Sequence, residues 1–210
     1  MTAPEIKVDQ YDDRLSSIYS KSDNKEQQYD EWADSYDKDL VEDLEYVAHR
    51  EAGKLLIEQL ADRSAHILDV ACGTGLVGAF LQAQGYQCVD GVDFSSAMLA
   101  RAKSRQVYQS IWQHDFTNPA EVENLYDALI CVGMFSFTIP KIADMHHVVN
   151  CVKPGGYCVI TVNGAAWKQL DLEPEVRKVA NQHKFTIQSI QTADYIRRES
   201  IDSRVLIIRR

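Results

Sequence analysis

The sequence has little positive charge and no long apolar run. Its 22 lysines and arginines are outnumbered by 31 aspartates and glutamates, which gives a formal net charge of −9. Proteins that grip long nucleic acids usually carry a basic face, because neutralising phosphates supplies most of their affinity. The acidic balance therefore argues against a nucleic-acid partner and favours a small-molecule substrate.

No apolar run is long enough to cross a bilayer, and the first residues, Met-Thr-Ala-Pro-Glu, lack the pattern of a secretion signal. The five cysteines are odd in number and form no CxxC pair, so we expect reduced thiols and no metal site. These absences predict a cytoplasmic protein without a membrane partner. They leave a monomer and a homodimer equally open.

Residues 66–78 combine a short apolar run with three closely spaced glycines. The first five residues have the length and composition of a buried strand, and Gly73, Gly75 and Gly78 lie in and just after the turn into a helical run over 76–83. A strand, a tight glycine turn and a helix aim backbone N–H groups and a positive helix end at a ligand. The glycine spacing alone is a weak sign of dinucleotide binding.

Three aspartates follow three consecutive strand-like runs. Asp69 lies four residues before the first glycine, Asp93 ends the apolar run 86–92, and Asp115 follows the run 107–113. A carboxylate beside the glycines repels a pyrophosphate but suits an ammonium group. A carboxylate at the second position accepts the hydroxyls of a ribose, and one at the third suits an adenine amino group. Together they describe S-adenosylmethionine.

The chain resembles the class I S-adenosylmethionine-dependent methyltransferases. Residues 69–75 look like the glycine-rich motif of that family, 91–95 like its ribose-binding motif, and 126–130 and 153–156 like its fourth strand and the following turn. Residues 29–37 are similar to a segment of the small-molecule methyltransferases related to the Williams–Beuren-syndrome-region protein. The resemblance implies S-adenosyl-L-methionine as cofactor and S-adenosyl-L-homocysteine as product.

These features predict an α/β fold with a Rossmann-like, seven-stranded, mostly parallel sheet and helices on both faces. Residues 1–38 are predicted as an N-terminal helical lid, and 39–210 as the methyltransferase domain. The apolar spacing predicts one amphipathic helix over 39–61. A short polar joint between the runs 185–196 and 205–208 predicts an antiparallel C-terminal strand, which a plain dinucleotide fold lacks.

The strand ends and the family resemblance together predict the residues that bind the cofactor. Asp69 and the loop 72–75 are assigned to the methionine end, Asp93 to the ribose diol, and the residues around Asp115 to the adenine. Cys72 is interpreted as a small packing residue. The complete predicted set is Trp32, Tyr36, Asp69, Ala71, Cys72, Gly73, Thr74, Gly75, Asp93, Phe94, Met98, His114, Asp115, Phe116, Val132 and Gly133.

Methyl transfer from a sulfonium is an in-line displacement, which requires a general base only when the acceptor holds its proton firmly. The sequence therefore assigns no catalytic residue. The loop 133–138 lacks the Asn/Asp-Pro-Pro-aromatic pattern of base methylation and is rich in apolar side chains. These suit an apolar or aromatic acceptor and equally suit core packing. The predicted substrate residues are Met134, Phe135, Phe137, His147 and Asn163.

Two other functions stay open at this point. An NAD(P)-dependent oxidoreductase uses the same glycine spacing, but it must tolerate Asp69 beside a pyrophosphate and leaves Asp115 without a role. A cofactor-binding, non-catalytic partner subunit is also compatible with an intact cofactor motif and no identified base.

Overall fold

The computed structural model describes residues 25–33, 35–137 and 140–210. Most of the predicted lid, residues 1–24, lies outside the described residues, as does Thr138 of the predicted apolar loop. Within the described ranges, no helix is long and apolar enough to span a bilayer.

A seven-stranded sheet forms the centre of the molecule, with the strand order β3-β2-β1-β4-β5-β7-β6. β7 runs antiparallel to both β5 and β6, and the other neighbouring pairs are parallel. The predicted fold, including its antiparallel C-terminal strand, is therefore confirmed. The strands are β1 Ile67–Val70, β2 Val89–Asp93, β3 Ile111–Gln113, β4 Tyr126–Phe135, β5 Val152–Asn163, β6 Thr186–Ile196 and β7 Ile201–Arg209.

Helices connect the strands and pack on the sheet. A π-helix covers Lys38–Asp43, and a 3-10 turn at Ile142–Asp144 precedes one of the short α-helices. The α-helices are α1 Lys25–Trp32, α2 Ala48–Gln59, α3 Leu76–Ala83, α4 Ser96–Arg105, α5 Met145–Val149, α6 Gly164–Gln169 and α7 Glu173–His183.

The prediction of one continuous helix over 39–61 is wrong in its first half. The π-helix ends at Asp43, Glu45 takes a left-handed φ of 55°, and α2 begins only at Ala48. Between them, Tyr46 forms an isolated antiparallel bridge with Ile196 at the end of β6. Because this pairing joins residues far apart in sequence, local apolar spacing could not predict the break.

The strand predicted over 107–113 is shorter than expected. Only Ile111–Gln113 pairs with β2, while Tyr108 turns its hydroxyl towards Asp69 and donates to its Oδ2 at 2.6 Å. Central strands β1 and β2 are buried along their whole length. Their two aspartates, Asp69 and Asp93, are therefore buried as well, and the fold places both at the carboxyl edge of the sheet.

Two adjacent glycines of β5 are needed for different reasons. Gly155 has a φ of +85°, which residues with side chains rarely adopt, whereas a Cβ on Gly156 would lie 2.5 Å from the carbonyl oxygen of Asp127. Asparagine tolerates a left-handed backbone better than alanine does. We expect Gly155→Asn to cost less stability than Gly155→Ala, and both Gly156→Ala and Gly156→Asn to cost about 1–3 kcal/mol.

Urea denaturation of these four variants measures the differences. The asparagine variant at each position serves as the control for the alanine variant. If asparagine restored stability at position 156 as well, crowding against the Asp127 carbonyl would not be the reason for that glycine.

Candidate functional site

The glycine loop after β1 is open above Gly73. Ala71, Gly73 and Gly75 all have positive φ, and a Cβ built on Gly73 meets no atom within 4 Å. The Gly75 N–H donates to the Cys72 carbonyl at 2.9 Å and closes the turn. Burial raises the pKa of the Cys72 thiol well above its ordinary value, which fits the predicted packing role. The loop thus leaves space for a ligand to approach the backbone.

Asp69 is fully buried, and the protein uses only one of its two carboxylate oxygens as a hydrogen-bond acceptor. Its Oδ2 accepts the Tyr108 hydroxyl at 2.6 Å, while its buried Oδ1 has no hydrogen-bond partner among the described residues. Burial, with a smaller contribution from the nearby Asp93, raises the pKa of this carboxyl to about 8, while the Tyr108 hydroxyl and the Gly78 backbone N–H oppose the shift. A buried acceptor without a donor is costly, so this atom is suited to a ligand with a positively charged donor.

Asp93 ties the glycine loop to the end of β2. One of its oxygens accepts the Gly73 N–H at 2.8 Å, and the other accepts the Ser95 N–H at 2.9 Å. Burial raises the pKa of Asp93 to about 6 despite these bonds. The parallel register of β1 and β2 pairs Val70 with Val92, so the two buried carboxylates lie at one edge on adjacent strands.

The predicted adenine residues divide into a rim and a buried layer. Phe94 and His114 are half-buried, Asp115 is exposed, and Asp115 Oδ1 accepts the N–H of Thr117 at 2.9 Å. Phe116 packs edge-to-face against His114 with the ring centres 4.8 Å apart. Phe116 and Met98 are 4% and 1% exposed. Their contact with an adenine stays a prediction.

The end of the lid segment reaches the same edge through two aspartates that the sequence did not single out. Asp30 accepts the Ser95 hydroxyl at 2.5 Å and the Ala97 N–H at 3.2 Å at the start of α4. Asp37 accepts the Thr74 hydroxyl at 2.5 Å and forms an ion pair with Arg105. The repeat of Tyr-Asp at positions 29–30 and 36–37, two helical turns apart, was the signal available in the sequence.

The predicted lid aromatics form a row. Tyr29 packs edge-to-face on Phe94 with ring centres 5.5 Å apart, and Trp32 does so on Tyr36 at 4.6 Å. The Trp32 indole N–H donates to Asp39 at 2.8 Å. The row starts at Phe94, a predicted adenine residue, so its position is compatible with contacts between the cofactor and Trp32 and Tyr36. These contacts stay predictions.

The end of β4 combines a glycine with two tyrosine hydroxyls. Val132 is buried, and the Gly133 N–H donates to the Thr161 hydroxyl at 3.0 Å. A Cβ on Gly133 would lie 3.0 Å from the Tyr195 hydroxyl oxygen and 4.0 Å from that of Tyr46. Glycine at this position therefore lets two polar groups approach the carboxyl end of the strand.

The predicted substrate residues do not form one wall. Met134 is half-buried, whereas Phe135 and Phe137 belong to the hydrophobic core. His147 contacts the Phe116 carbonyl through Nδ1 at 3.1 Å, and Asn163 accepts the Ala166 N–H as the N-cap of α6. Phe135, Phe137, His147 and Asn163 thus each have a structural role. A substrate role for any of the five stays a prediction.

Polar atoms that are buried without a partner collect around this edge. Within the described residues they are Gln28 Oε1 on α1, His49 Nδ1, Asp69 Oδ1 and Ser136 Oγ. Native proteins leave few such atoms, and each calls for an explanation such as a ligand. The sequence analysis missed His49, which shares the buried face of α2 with Ala52, Gly53 and Leu56. A histidine at an otherwise apolar helical position was the signal for it.

Known proteins match the segment that contains this site. Residues 67–156 match the family model described as a methyltransferase domain. Methyltransferase-like protein 27 of Homo sapiens is 40% identical over 143 residues, which cover 63% of this chain and 55% of that protein. The chain spans about half the length of the curated relatives it matches.

Solved structures share the fold at low sequence identity. The magnesium protoporphyrin IX methyltransferase of Synechocystis superimposes with a TM-score of 0.62 at 17% identity, over 94% of this chain and 90% of that one. The 1,6-didemethyltoxoflavin-N1-methyltransferase of Burkholderia thailandensis has a TM-score of 0.62 at 19% identity, over 87% and 86%.

The family match begins at β1 and includes Asp69, the glycine loop and Asp93. Residues 67–156 of this chain therefore match a methyltransferase domain, and the chain shares the fold of solved methyltransferases. The predicted fold is thereby confirmed, and the matches support the predicted family. The match includes the buried acids Asp69 and Asp93 at the ends of β1 and β2, and their contacts with a cofactor stay predictions.

The raised pKa of Asp69 predicts how stability depends on pH. An aspartate has a pKa near 4 when unfolded, so between about pH 4 and pH 8 the folded state holds a proton that the unfolded state releases. The stabilising contribution is complete below about pH 4 and is lost as the pH rises through about 8. Asp69→Asn removes this titration and keeps an acceptor for Tyr108, so we expect it to raise the free energy of unfolding at about pH 8 by roughly 1–3 kcal/mol.

Urea denaturation of wild type and Asp69→Asn across this pH range measures the effect. Asp90→Asn is the matched control, because Asp90 accepts bonds from His66, Tyr126 and Ser110 and its replacement should destabilise the protein. An unchanged pH slope in Asp69→Asn would mean that another group titrates.

Proposed function

We propose that this chain transfers a methyl group from S-adenosylmethionine to a small-molecule acceptor. The observation that carries the proposal is the buried Asp69 Oδ1, which has no partner among the described residues and lies in the strand leading to the open glycine loop. The Synechocystis enzyme was solved with bound S-adenosylmethionine and the Burkholderia enzyme with S-adenosylhomocysteine. These likenesses support the cofactor, and the site chemistry suits it independently.

The residues present fit this cofactor. Asp69 would bind the ammonium group of its methionine end, and the loop at Gly73 offers the space that the methionine end needs. Asp93 would accept the ribose hydroxyls with the lone pairs that Gly73 and Ser95 leave available, since a carboxylate has about four acceptor sites. The rim at Phe94 would lie along the adenine.

The oxidoreductase alternative fits less well. A dinucleotide places its pyrophosphate against free N–H groups of the glycine loop, but the Gly73 N–H is donated to Asp93. Asp69 and Asp93 also place two buried carboxyls beside that position. A phosphate there would lie beside two acidic groups and would not find the Gly73 N–H free, whereas an ammonium group meets an acceptor.

The residues of this chain can support methyl transfer chiefly by positioning the cofactor relative to the acceptor. The cofactor supplies a methyl group on a positively charged sulfur, which a nucleophile can attack in line. Asp69 and Asp93 would hold its methionine and ribose ends and thereby orient the methyl group towards the acceptor. The lid aspartates Asp30 and Asp37 hold α1 and the following turn over this edge and limit the entry of water.

A small acceptor is favoured by charge and by the shape of the edge. The net charge of −9 disfavours long polyanions. Both superimposed enzymes described above carry names of small-molecule methyltransferases. Gly133 and the half-buried Met134 leave a mixed polar and apolar surface at the end of β4, which suits a small organic molecule.

Calorimetric titration with S-adenosylmethionine, S-adenosylhomocysteine and NADPH in parallel tests the cofactor. We expect micromolar binding of the two sulfur compounds and no heat with the nicotinamide; the reverse pattern would establish the oxidoreductase alternative. Incubation of cell extract with radiolabelled S-adenosylmethionine then tests catalysis. Label in the small-molecule fraction supports the proposal, whereas its absence from every fraction favours a non-catalytic subunit.

Replacing Asp93 tests the ribose assignment. We expect Asp93→Ala to weaken S-adenosylhomocysteine binding by about 1.5–3 kcal/mol, because a charge-assisted bidentate contact is lost. Asp90→Ala is the matched control: Asp90 belongs to the same strand, but its oxygens accept from Ser110 and Tyr126. Calorimetry at one temperature compares the two, and an unchanged dissociation constant for Asp93→Ala would overturn the assignment.

A further inference from the structure

The proposed function leaves the buried side chain of His49, at the carboxyl edge, without a task. His49 lies in the first turn of α2, is 5% exposed, and its Nδ1 has no hydrogen-bond partner among the described residues. α2 precedes β1 and runs back across the sheet, so its first turn lies at the carboxyl edge. A buried imidazole nitrogen without a partner costs stability, and a ligand group can satisfy it.

His49 belongs to the polar cluster over the end of β4. Its ring stacks on Tyr46 with ring centres 5.4 Å apart, and Tyr46 packs edge-to-face on Tyr195 at 5.3 Å. The hydroxyls of both tyrosines approach the Cβ position of Gly133. The His49 ring therefore flanks the hydroxyl pair at the point where β4 ends.

Charged groups of the lid, α2 and α4 act on the His49 ring. Burial, followed by the positive charges of Arg50 and Arg105, lowers the pKa of His49 to about 4, and the negative charge of Asp37 opposes this shift. Asp37 and Arg105 are paired with each other over Thr74. His49 is thus a neutral imidazole between the glycine loop and the end of β4.

We propose that His49 Nδ1 accepts a hydrogen bond from a hydroxyl group of the methyl acceptor, which makes the reaction an O-methylation of a small alcohol or phenol. The proposal rests on the proposed function. A neutral ring flanked by neutral tyrosine hydroxyls suits an uncharged hydroxyl better than a carboxylate. An amine needs no such acceptor, since its lone pair is available once it is neutral.

The step balances with His49 as the proton acceptor. The acceptor oxygen forms its bond to the methyl carbon, and the electron pair of the broken carbon–sulfur bond stays on sulfur. The hydroxyl proton passes to Nδ1 and from there to water. A protonated ether is a far stronger acid than an imidazolium of low pKa, so this weakly basic histidine is still basic enough.

Sinefungin tests the position of His49 without knowledge of the acceptor. This analogue carries an amino-bearing carbon where the cofactor has its methylated sulfur, so its ammonium group lies at the transfer position; S-adenosylhomocysteine has no donor there. We expect His49→Leu to weaken sinefungin binding about tenfold, the loss of one charge-assisted hydrogen bond, and to leave S-adenosylhomocysteine binding unchanged.

Two variants control this calorimetric comparison. His49→Asn keeps a polar atom near the position of Nδ1 and should retain most of the sinefungin affinity. His66→Gln changes a histidine that contacts Asp90 and precedes β1, at the opposite edge, and should affect neither ligand. Equal weakening of both ligands in His49→Leu would place His49 at the methionine end instead, and no weakening of either would remove it from the site.

A measurement on the wild type keeps the proposal testable if His49→Leu does not fold. With ¹⁵N-labelled histidine, sinefungin should shift the Nδ1 resonance that is missing in His49→Asn, and S-adenosylhomocysteine should leave it in place. No shift with sinefungin would overturn the proposal. Failure of the wild type to bind S-adenosylhomocysteine at all would instead overturn the proposed function.

Discussion

The site depends on two carboxylates, Asp69 and Asp93, that are buried on adjacent strands. The in-register pairing of β1 with β2 fixes them at one edge, and burial raises the pKa of both. A ligand that brings an ammonium group and hydroxyl donors relieves an electrostatic cost that the fold itself leaves. Gly73 belongs to the same unit, because its N–H binds Asp93 and its missing side chain leaves the space above the loop.

Local patterns predicted the parts of the fold whose signal lies within one element. The apolar run before the glycines, the spacing of Asp69 and Asp93, and the polar joint before β7 each depend on neighbouring residues. The errors arose where distant residues decide the outcome. The helix predicted over 39–61 breaks because Tyr46 pairs with Ile196, and the third strand is short because Tyr108 turns to Asp69.

The predicted site residues and the missed ones differ in the same way: local sequence patterns locate the former, whereas contacts between distant residues locate the latter. Strand ends can be read from sequence, since every parallel strand delivers its last residues to one edge. Residues that reach that edge from elsewhere have no such rule: His49 arrives from the first turn of α2, and Asp30 and Asp37 arrive from the segment before it. Apolar residues at the end of β4 show the opposite case, because composition does not distinguish a core phenylalanine such as Phe135 from a residue that lines a pocket.

Ser95 and Thr74 join the lid to the cofactor-binding residues. Ser95 donates its N–H to Asp93 and its hydroxyl to Asp30, while Thr74, within the glycine loop, donates its hydroxyl to Asp37. A ligand that changes the charge or position of Asp93 or the loop therefore acts on both lid contacts. By thermodynamic reciprocity, a lid held by these contacts changes the ligand's affinity by the same factor. The predicted lid and the buried acids are consequently joined by a short chain of hydrogen bonds, although they come from separate parts of the sequence.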